Sequence, residues 1–267
     1  MKTTCPYGRL FEPSPPPETD RLSLNRDIPR PFVFRPPSRS ELTADSGTEA
    51  LSFELNLIGS AADYLPYFLV TFRELGQQGI GIGRGRYCIA RVSLLNEGGA
   101  DIAIIYSGDD NTVRPSSIHV TYKDCCRLAA ERFSKKTGRV TIRFLTPTYL
   151  KVDGKIIERP DFHHLIKRLR DRINALAHFY CGETLDLEFK AFGERAESIR
   201  TIHGHVRWED RDRRSWKTGL SHDMGGFVGE VTYEGKLEDF LPLLILGQYT
   251  HVGKYAVWGN GRYEIAE

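Results

Sequence analysis

Residues 161–180, DFHHLIKRLRDRINALAHFY, carry the clearest helix pattern in the chain. The apolar residues of this segment recur at helical spacing and give it one apolar face: Leu165, Leu169, Ile173 and Leu176. Asp161 is suited to cap the first turn, and Gly182 lies just beyond the last residue. The segment therefore predicts a long amphipathic helix, and the elements on either side of it decide the fold.

Strands are predicted on both sides of this helix. One strand, 139–145, precedes the helix, and two more follow it at 199–208 and 226–233. A short helix is predicted at 237–246, followed by a last pair of strands over roughly 250–265 that glycines interrupt. The resulting order of strand, helix, strand, strand, helix and strand is that of the split βαβ, or ferredoxin-like, unit.

The preceding half of the chain repeats this order. Strands are predicted at 51–58, 87–95 and 100–106, a hairpin turn at Asn96-Glu97-Gly98-Gly99, and helices at 61–75 and 120–133. Strand 139–145 completes this order, so both halves have it if the segment 139–149 serves the second half as well. We therefore predict an α+β protein of two tandem ferredoxin-like domains, which are RRM-like units. The predicted boundaries are a proline-rich arm at 1–50, an N-terminal domain at 51–138 and a C-terminal domain at 139–267.

The arm is predicted to be extended because its prolines block regular helix and sheet: Pro13, Pro15, Pro16, Pro17, Pro29, Pro31, Pro36 and Pro37. Apolar residues such as Phe11, Phe32 and Phe34 stand among them. Since disordered tails carry few such residues, we expect the arm to lie along the folded body.

Composition excludes some classes of protein. The chain has 267 residues and a formal charge of +2, from 37 Lys plus Arg against 35 Asp plus Glu. No stretch approaches the roughly 18 uninterrupted apolar residues of a membrane helix, so a membrane-spanning role is excluded. The near-neutral charge still allows a local basic stripe that binds nucleic acid. The N-terminus lacks a signal-peptide core and the five cysteines are scattered, which predicts reduced thiols, no zinc site and a cytoplasmic protein.

Two glycine-rich segments, 79–86 and 253–262, each combine glycines with Arg or Lys. Such backbone can approach a ligand closely while the cation neutralises a phosphate. Neither segment has the spacing of a P-loop or a dinucleotide fingerprint, so a nucleotide cofactor is not expected. For either segment alone, a purely structural role in hairpins and helix ends is about as common as a role in ligand binding.

Basic residues crowd the stretch 207–217, which also contains Trp208 and Trp216. Cations interleaved with aromatic rings suit single-stranded RNA, because the cations hold the backbone and the rings stack on bases. The alternative is a solvated face on which these cations pair with the nearby Glu209, Asp210 and Asp212.

The eight histidines show no HExxH or other recognisable metal-ligand spacing, and no GxSxG elbow is present. Metal hydrolases and serine hydrolases are therefore excluded. His251 stands just before Gly253 and Lys254, where a general acid or base would have a phosphate-binding loop beside it. For any single histidine a structural role is the more common one.

Several segments resemble the sixth CRISPR-associated protein family, the endoribonucleases that cut precursor CRISPR RNA within its repeats. The most specific are LPLLILGQYTHVGK at 241–254 and WGNGRY at 258–263. Other segments that look like the family are CPYG at 5–8, PRPF at 29–32, RPP at 35–37, YLPYF at 64–68, TP at 146–147 and GGFVGEVTYEG at 225–235. The resemblance covers almost the whole chain and implies the tandem ferredoxin-like fold of the repeat-associated RAMP superfamily.

The resemblance implies cleavage that needs no metal and no cofactor. A general base takes the proton of a ribose 2'-hydroxyl, that oxygen attacks the adjacent phosphate, and an acid protonates the leaving 5'-oxygen. Many members carry a catalytic histidine on or just after the first helix of the N-terminal domain, whereas 61–75 contains none, so Tyr64 or Tyr67 is a candidate substitute. We hypothesise that His251 is the principal acid or base and that Lys254 stabilises the phosphate charge.

The implied partner is CRISPR repeat RNA within precursor crRNA, and other subunits of a CRISPR effector complex are further candidate partners. RNA contacts are predicted for these residues: Arg84, Arg86, Arg207, Arg211, Arg213, Arg214, Gly253, Gly259, Gly261 and Arg262. One alternative is a non-catalytic subunit that holds the RNA handle of an effector complex. Another is a general RNA-binding protein unrelated to CRISPR.

Overall fold

The computed structural model describes residues 5–14, 28–37, 50–81, 83–114, 116, 118–133, 138–214, 219 and 221–266. The elements of the N-terminal half are α1 (Pro6–Phe11), β1 (Phe32–Arg35), β2 (Glu54–Leu57), α2 (Leu65–Gln78), β3 (Arg91–Leu95), β4 (Asp101–Ser107), β5 (Thr112–Val113) and α3 (Tyr122–Phe133). β1 pairs antiparallel with β2, and β3, β4 and β5 form a second antiparallel ladder.

The elements of the C-terminal half are β6 (Arg139–Thr148), β7 (Leu150–Val152), β8 (Lys155–Ile157), α4 (Phe162–Leu176), α5 (Phe189–Glu197), β9 (Arg200–Glu209), β10 (Asp212–Arg214), β11 (Ser221–Asp223), β12 (Gly226–Glu234), α6 (Leu241–Thr250) and β13 (Tyr263–Ala266). Four strands form an antiparallel sheet in the order β13, β6, β12, β9. With α4 and α6 in the two crossovers, this is the strand order of a ferredoxin-like unit.

The main core lies between this sheet and its helices. On α4 the side chains of Leu165 and Leu169 are fully buried, as the apolar face of the segment predicts, and Ile166 is fully buried as well. They pack in one cluster with Ile142 of β6 and Val231 of β12. The helix thus covers one face of the sheet and leaves the other face open.

A second core, here called the aromatic cluster, joins the arm to both halves. Its buried members are Leu10, Phe32, Ala61, Phe68 and Val257. At its edge the ring of Phe34 stacks on that of Trp258, with centroids 6.4 Å apart and an interplanar angle of 8°. The expectation that the arm lies along the folded body is therefore confirmed for its described residues.

Several predicted boundaries shift because proline sits in the first turn of helices. Pro66 and Pro242 both lie at the start of their helices, so α2 begins at Leu65 and α6 at Leu241, four residues after the predicted starts at 61 and 237. The arm, predicted to be extended, instead starts with α1 and adds strand β1. None of the described helices has the length and apolar character of a membrane span.

Candidate functional site

Residues 251–262, here called the glycine loop, connect α6 to β13. The prediction of a strand pair over 250–265 is wrong for this part, because these residues adopt positive φ angles: His251, Gly253, Tyr255, Gly259 and Gly261. The ends of the loop meet where the backbone N–H of Val252 donates to the carbonyl of Gly261 at 3.1 Å. A Cβ on Gly261 would lie 1.8 Å from the Val252 oxygen, so only glycine fits there.

The glycine loop is held to the end of β6. Thr146 Oγ1 donates to the carbonyl of Gly259 at 2.8 Å and accepts from the backbone N–H of Arg262 at 2.9 Å. The N–H of Gly261 donates to the carbonyl of Pro147 at 3.0 Å. Thr146 and Pro147 therefore hold the glycine loop in place by hydrogen bonds. The backbone conformation of the loop requires glycine at 259 and 261 whether or not these residues contact RNA.

His251 lies in the core rather than at the surface. Its side chain is fully buried, and Nδ1 is 3.1 Å from the carbonyl of Asn260, to which it donates in the Nδ1–H tautomer. The pKa of His251 is lowered to about 3, chiefly by burial and also by the positive charges of Arg172, Arg262 and Arg35, while the hydrogen bond with the Asn260 carbonyl acts in the opposite direction. The imidazole is neutral at physiological pH and shielded from solvent, so the hypothesis that His251 is the principal acid or base is not supported by its position.

The backbone of His251 explains this position. Its φ of 56° and ψ of 174° lie in a region that only glycine adopts readily. This conformation turns the imidazole inward between α6 and the glycine loop, while Arg172 Nε donates to the neighbouring carbonyl of Thr250 at 2.9 Å. The arrangement makes His251 a residue that fixes where the loop leaves the helix.

Lys254 is exposed and lies over aromatic rings. Its Nζ is 5.5 Å from the ring centroid of Tyr149 and 4.7 Å from that of Tyr255, and its backbone N–H donates to the carbonyl of Tyr149 at 3.0 Å. A hydrogen bond with Tyr255 raises the pKa of Lys254, so the ammonium stays charged. The Tyr149 ring in turn contacts Trp208 edge-to-face at 6.2 Å. A fixed cation beside partly exposed rings is suited to a phosphate and its neighbouring base.

The basic stretch after β9 is joined to the glycine loop through one residue. Met224 donates its backbone N–H to the carbonyl of Arg211 at 2.7 Å, and its own carbonyl accepts from Asn260 Nδ2 at 2.8 Å. Arg207 and Arg211 are exposed, and Arg207 lies 3.8 Å from Glu209 in a weak pair. The side chains of Arg213 and Arg214, together with Trp216 and Lys217, lie outside the described residues. The backbone of Arg211 is thus connected through Met224 to Asn260 of the glycine loop.

The first glycine-rich segment forms a separate tight turn. Ile80 and Gly85 exchange backbone hydrogen bonds of 3.0 and 2.9 Å at the end of α2. Arg84, with φ of 47°, and Arg86 are exposed on this turn. In the described part of the chain no hydrogen bond or ion pair joins their side chains to the glycine loop, so the structure does not unite the two segments.

Tyr64 lies at the aromatic cluster, to which Val257 of the glycine loop also belongs. Its hydroxyl accepts a hydrogen bond from Arg9 Nη1 at 3.0 Å, and the guanidinium carbon lies 5.8 Å from the centre of the ring. Sequence reasoning missed Arg9 because the two residues are 55 positions apart and the arm was treated as an extended cover. The only sequence signal was the resemblance of the segment 5–8.

The open face of the C-terminal sheet carries paired charges. Arg143 bridges Glu230 and Glu264, and Arg139 lies 2.7 Å from Glu234. Arg139 and Arg143 therefore already have carboxylate partners, which makes this part of the face a poor surface for RNA phosphates.

Asp161, His163 and His164 are the described residues best placed to hold a metal. One ligand atom from each lies within 4.8 Å of the others. Desolvation and the neighbouring His163 lower the pKa of His164 most, and the positive charges of Lys167 and Arg168 lower it as well. Both cations, with the positive end of α4, oppose a metal ion there.

Two family models match the chain. Residues 142–263 match the model described as CRISPR-associated endoribonuclease Cas6, and residues 1–118 match a model described as an N-terminal domain. No curated protein matches the sequence.

Solved Cas6 structures share the fold. A Cas6 product complex is 20% identical, with a TM-score of 0.58 over 92% of this chain and 85% of that chain. Thermus thermophilus Cas6 is 18% identical, with a TM-score of 0.54 over 96% of this chain and 95% of that chain. These structures have two ferredoxin-like domains, and the likeness confirms the predicted α+β fold class.

Proposed function

We propose that this chain belongs to the family of CRISPR-associated endoribonuclease Cas6, whose model residues 142–263 match, and that it cleaves precursor CRISPR RNA within its repeats. The family match carries this assignment. We place the reaction in the cytoplasm, with repeat RNA as the partner and effector-complex subunits as further partners. The domain division at 138/139 is part of the proposal, since the two family matches lie on either side of it.

The proposed reaction is a metal-independent transesterification. The 2'-oxygen of one ribose forms a bond to phosphorus while the bond from phosphorus to the next 5'-oxygen breaks. The products carry a 2',3'-cyclic phosphate and a 5'-hydroxyl, and two protons move: one leaves the 2'-hydroxyl and one reaches the 5'-oxygen. Tyr64 is the side chain we assign to this acid–base work, since its hydroxyl accepts a hydrogen bond from Arg9.

Lys254 is assigned to phosphate binding in this scheme. Its ammonium is exposed, charged and fixed by a loop that Thr146 and Pro147 hold in place. His251 is assigned a positioning role instead of the catalytic role, because its buried imidazole sets the start of the same loop.

The proposal is tested by incubating the full chain with labelled repeat RNA in EDTA. Cutting at one position, with a cyclic phosphate on the upstream product, supports it, and a single 2'-deoxy substitution at the cut should abolish the reaction. A gel shift without any cut would instead favour the non-catalytic handle-binding subunit. Equal affinity for unrelated hairpins would favour a general RNA-binding protein.

RNA affinity is expected to depend on Arg207 and Arg211. The double variant Arg207→Ala/Arg211→Ala should raise Kd for repeat RNA about tenfold and reduce the slope of log Kd against log salt by about 1 to 2. The matched control is Arg200→Ala, because Arg200 lies on the same strand but pairs with Glu234. An unchanged salt slope in the double variant, measured by fluorescence anisotropy, would remove this stretch from the RNA path.

A further inference from the structure

Asn260 lies in the glycine loop, but its side chain bonds to a residue outside the loop. The side chain is fully buried, and Nδ2 donates to the carbonyl oxygen of Met224 at 2.8 Å. Met224 is itself buried and directly follows β11. The amide of Asn260 therefore connects the glycine loop to the hairpin of β10 and β11, which we call the basic hairpin and define as residues 211–224.

The basic hairpin continues the strand pair of β9 and β12 beyond a break in the ladder. The ladder of β9 and β12 ends with Gly226 opposite Glu209, and the hairpin ladder begins with Asp212 opposite Asp223, in the same register. Among the described strands, β10 and β11 pair only with each other. The direction in which the hairpin leaves the sheet therefore depends on the residues at the break.

Two hydrogen bonds of Met224 close this break. Its N–H donates to the carbonyl of Arg211 at 2.7 Å, across the hairpin, and its carbonyl accepts from Asn260 Nδ2, outside the hairpin. An isolated two-stranded hairpin is only marginally stable, so contacts at its base decide how firmly it is held. Asn260 supplies one of these contacts from the glycine loop.

The backbone that carries the Asn260 amide is itself held in place. The carbonyl of Asn260 accepts a hydrogen bond from His251 Nδ1 at 3.1 Å in the Nδ1–H tautomer, and the N–H of the next residue, Gly261, donates to the carbonyl of Pro147 at 3.0 Å. Because Asn260 and Met224 are both buried, opening the bond between them would leave a carbonyl without a donor, which costs stability. The position of the glycine loop is thus passed on to the base of the hairpin.

We propose that Asn260 is a positioning residue that holds the basic hairpin and the glycine loop in one arrangement for RNA binding. Arg211 at the base of the hairpin and Lys254 in the glycine loop then bind the same RNA, and the hairpin need not be ordered at that moment. Such preorganisation raises affinity because less conformational entropy is lost on binding. This inference rests on the proposed function, and it makes the contribution of the hairpin arginines depend on Asn260.

The decisive test combines Asn260→Ala with removal of the hairpin charge, using repeat RNA that carries a single 2'-deoxy substitution at the cut. In wild type, the triple substitution Arg211→Ala/Arg213→Ala/Arg214→Ala should raise Kd about 30-fold. In the Asn260→Ala background it should raise Kd less than about 3-fold, because a hairpin that is not held contributes little to binding. Lys254→Ala should raise Kd about fivefold in both backgrounds.

Asn56→Ala is the matched control. Asn56 Nδ2 donates to the carbonyl of Tyr249 at 2.9 Å, so this variant also loses an asparagine hydrogen bond between distant parts of the chain, but not the one at the hairpin. The triple substitution should still raise Kd about 30-fold in this background. An equally large effect in folded Asn260→Ala protein would overturn the proposal and leave the proposed function standing. If the effect does depend on Asn260 but wild type cuts no repeat RNA, the positioning role stands and the endoribonuclease assignment fails.

Hydrogen exchange tests the same connection in the protein without RNA. In free wild type, the Met224 amide should exchange within about tenfold of the ladder amides of β12, and RNA should change its rate less than about 3-fold. In Asn260→Ala it should exchange at least about tenfold faster, with exchange in α4 unchanged. Fast exchange of the Met224 amide in free wild type that RNA then slows would mean that RNA orders the base of the hairpin. That result would contradict the proposal even if Asn260→Ala does not fold.

Discussion

Replacing Tyr64 by Phe should lower the single-turnover rate of repeat cleavage by about 10²- to 10⁴-fold, the usual contribution of a general acid or base. The substitution removes one oxygen atom and leaves the ring, which packs against the aromatic cluster. Kd for repeat RNA should therefore change little. Because Arg9 donates to that oxygen at 3.0 Å, the variant loses both the proton carrier and its stabilising contact.

The matched control for this prediction is Tyr67→Phe. Tyr67 lies in the first turn of α2, directly after the turn that carries Tyr64, with its ring 5.8 Å from that of Tyr64, but 55% of it is exposed. Its variant should cut at a rate close to wild type, measured at saturating protein on the same labelled repeat. A normal rate for Tyr64→Phe together with a large loss for Tyr67→Phe would transfer the role to Tyr67.

The C-terminal domain was predictable because its helices and strands carry their own periodicity. Residues 161–180 show a full apolar face, and burial of Leu165 and Leu169 in the structure follows from that pattern alone. The glycine loop was not predictable in this way. Its path depends on positive φ angles and on Thr146, more than a hundred residues earlier in the chain. The alternation of apolar and polar residues used to predict strands indicates neither.

The candidate site likewise contains some residues that the sequence indicates and others that it does not. Lys254, Arg207 and Arg211 are candidates from sequence because charge beside glycine or tryptophan is visible there. Arg9 cannot be found from sequence, because its contact with Tyr64 is set entirely by folding. The prediction that His251 is the acid or base arises from its sequence neighbours Gly253 and Lys254, whereas the structure places its ring in the core.

Acid should destabilise this protein through His251. The folded protein holds its imidazole neutral, with the pKa lowered by burial to about 3, whereas an unfolded histidine titrates near 6.5. Between these values the unfolded chain binds a proton that the folded chain does not, so stability falls as pH falls. From pH 7 to pH 4.5 the linked loss is about 2 to 3 kcal/mol in the free energy of unfolding.

The variant His251→Asn isolates this contribution. Asparagine keeps an N–H for the Asn260 carbonyl and tolerates positive φ, but it cannot take up the proton. Urea unfolding at pH 7, 5.5 and 4.5 should give a shallower pH dependence for the variant than for wild type, whatever its stability at pH 7. If the variant does not fold, the imidazole resonance of wild-type His251 should still show no titration above pH 4 by NMR. Titration near pH 6.5 would instead mean that the ring reaches solvent and would reopen its catalytic assignment.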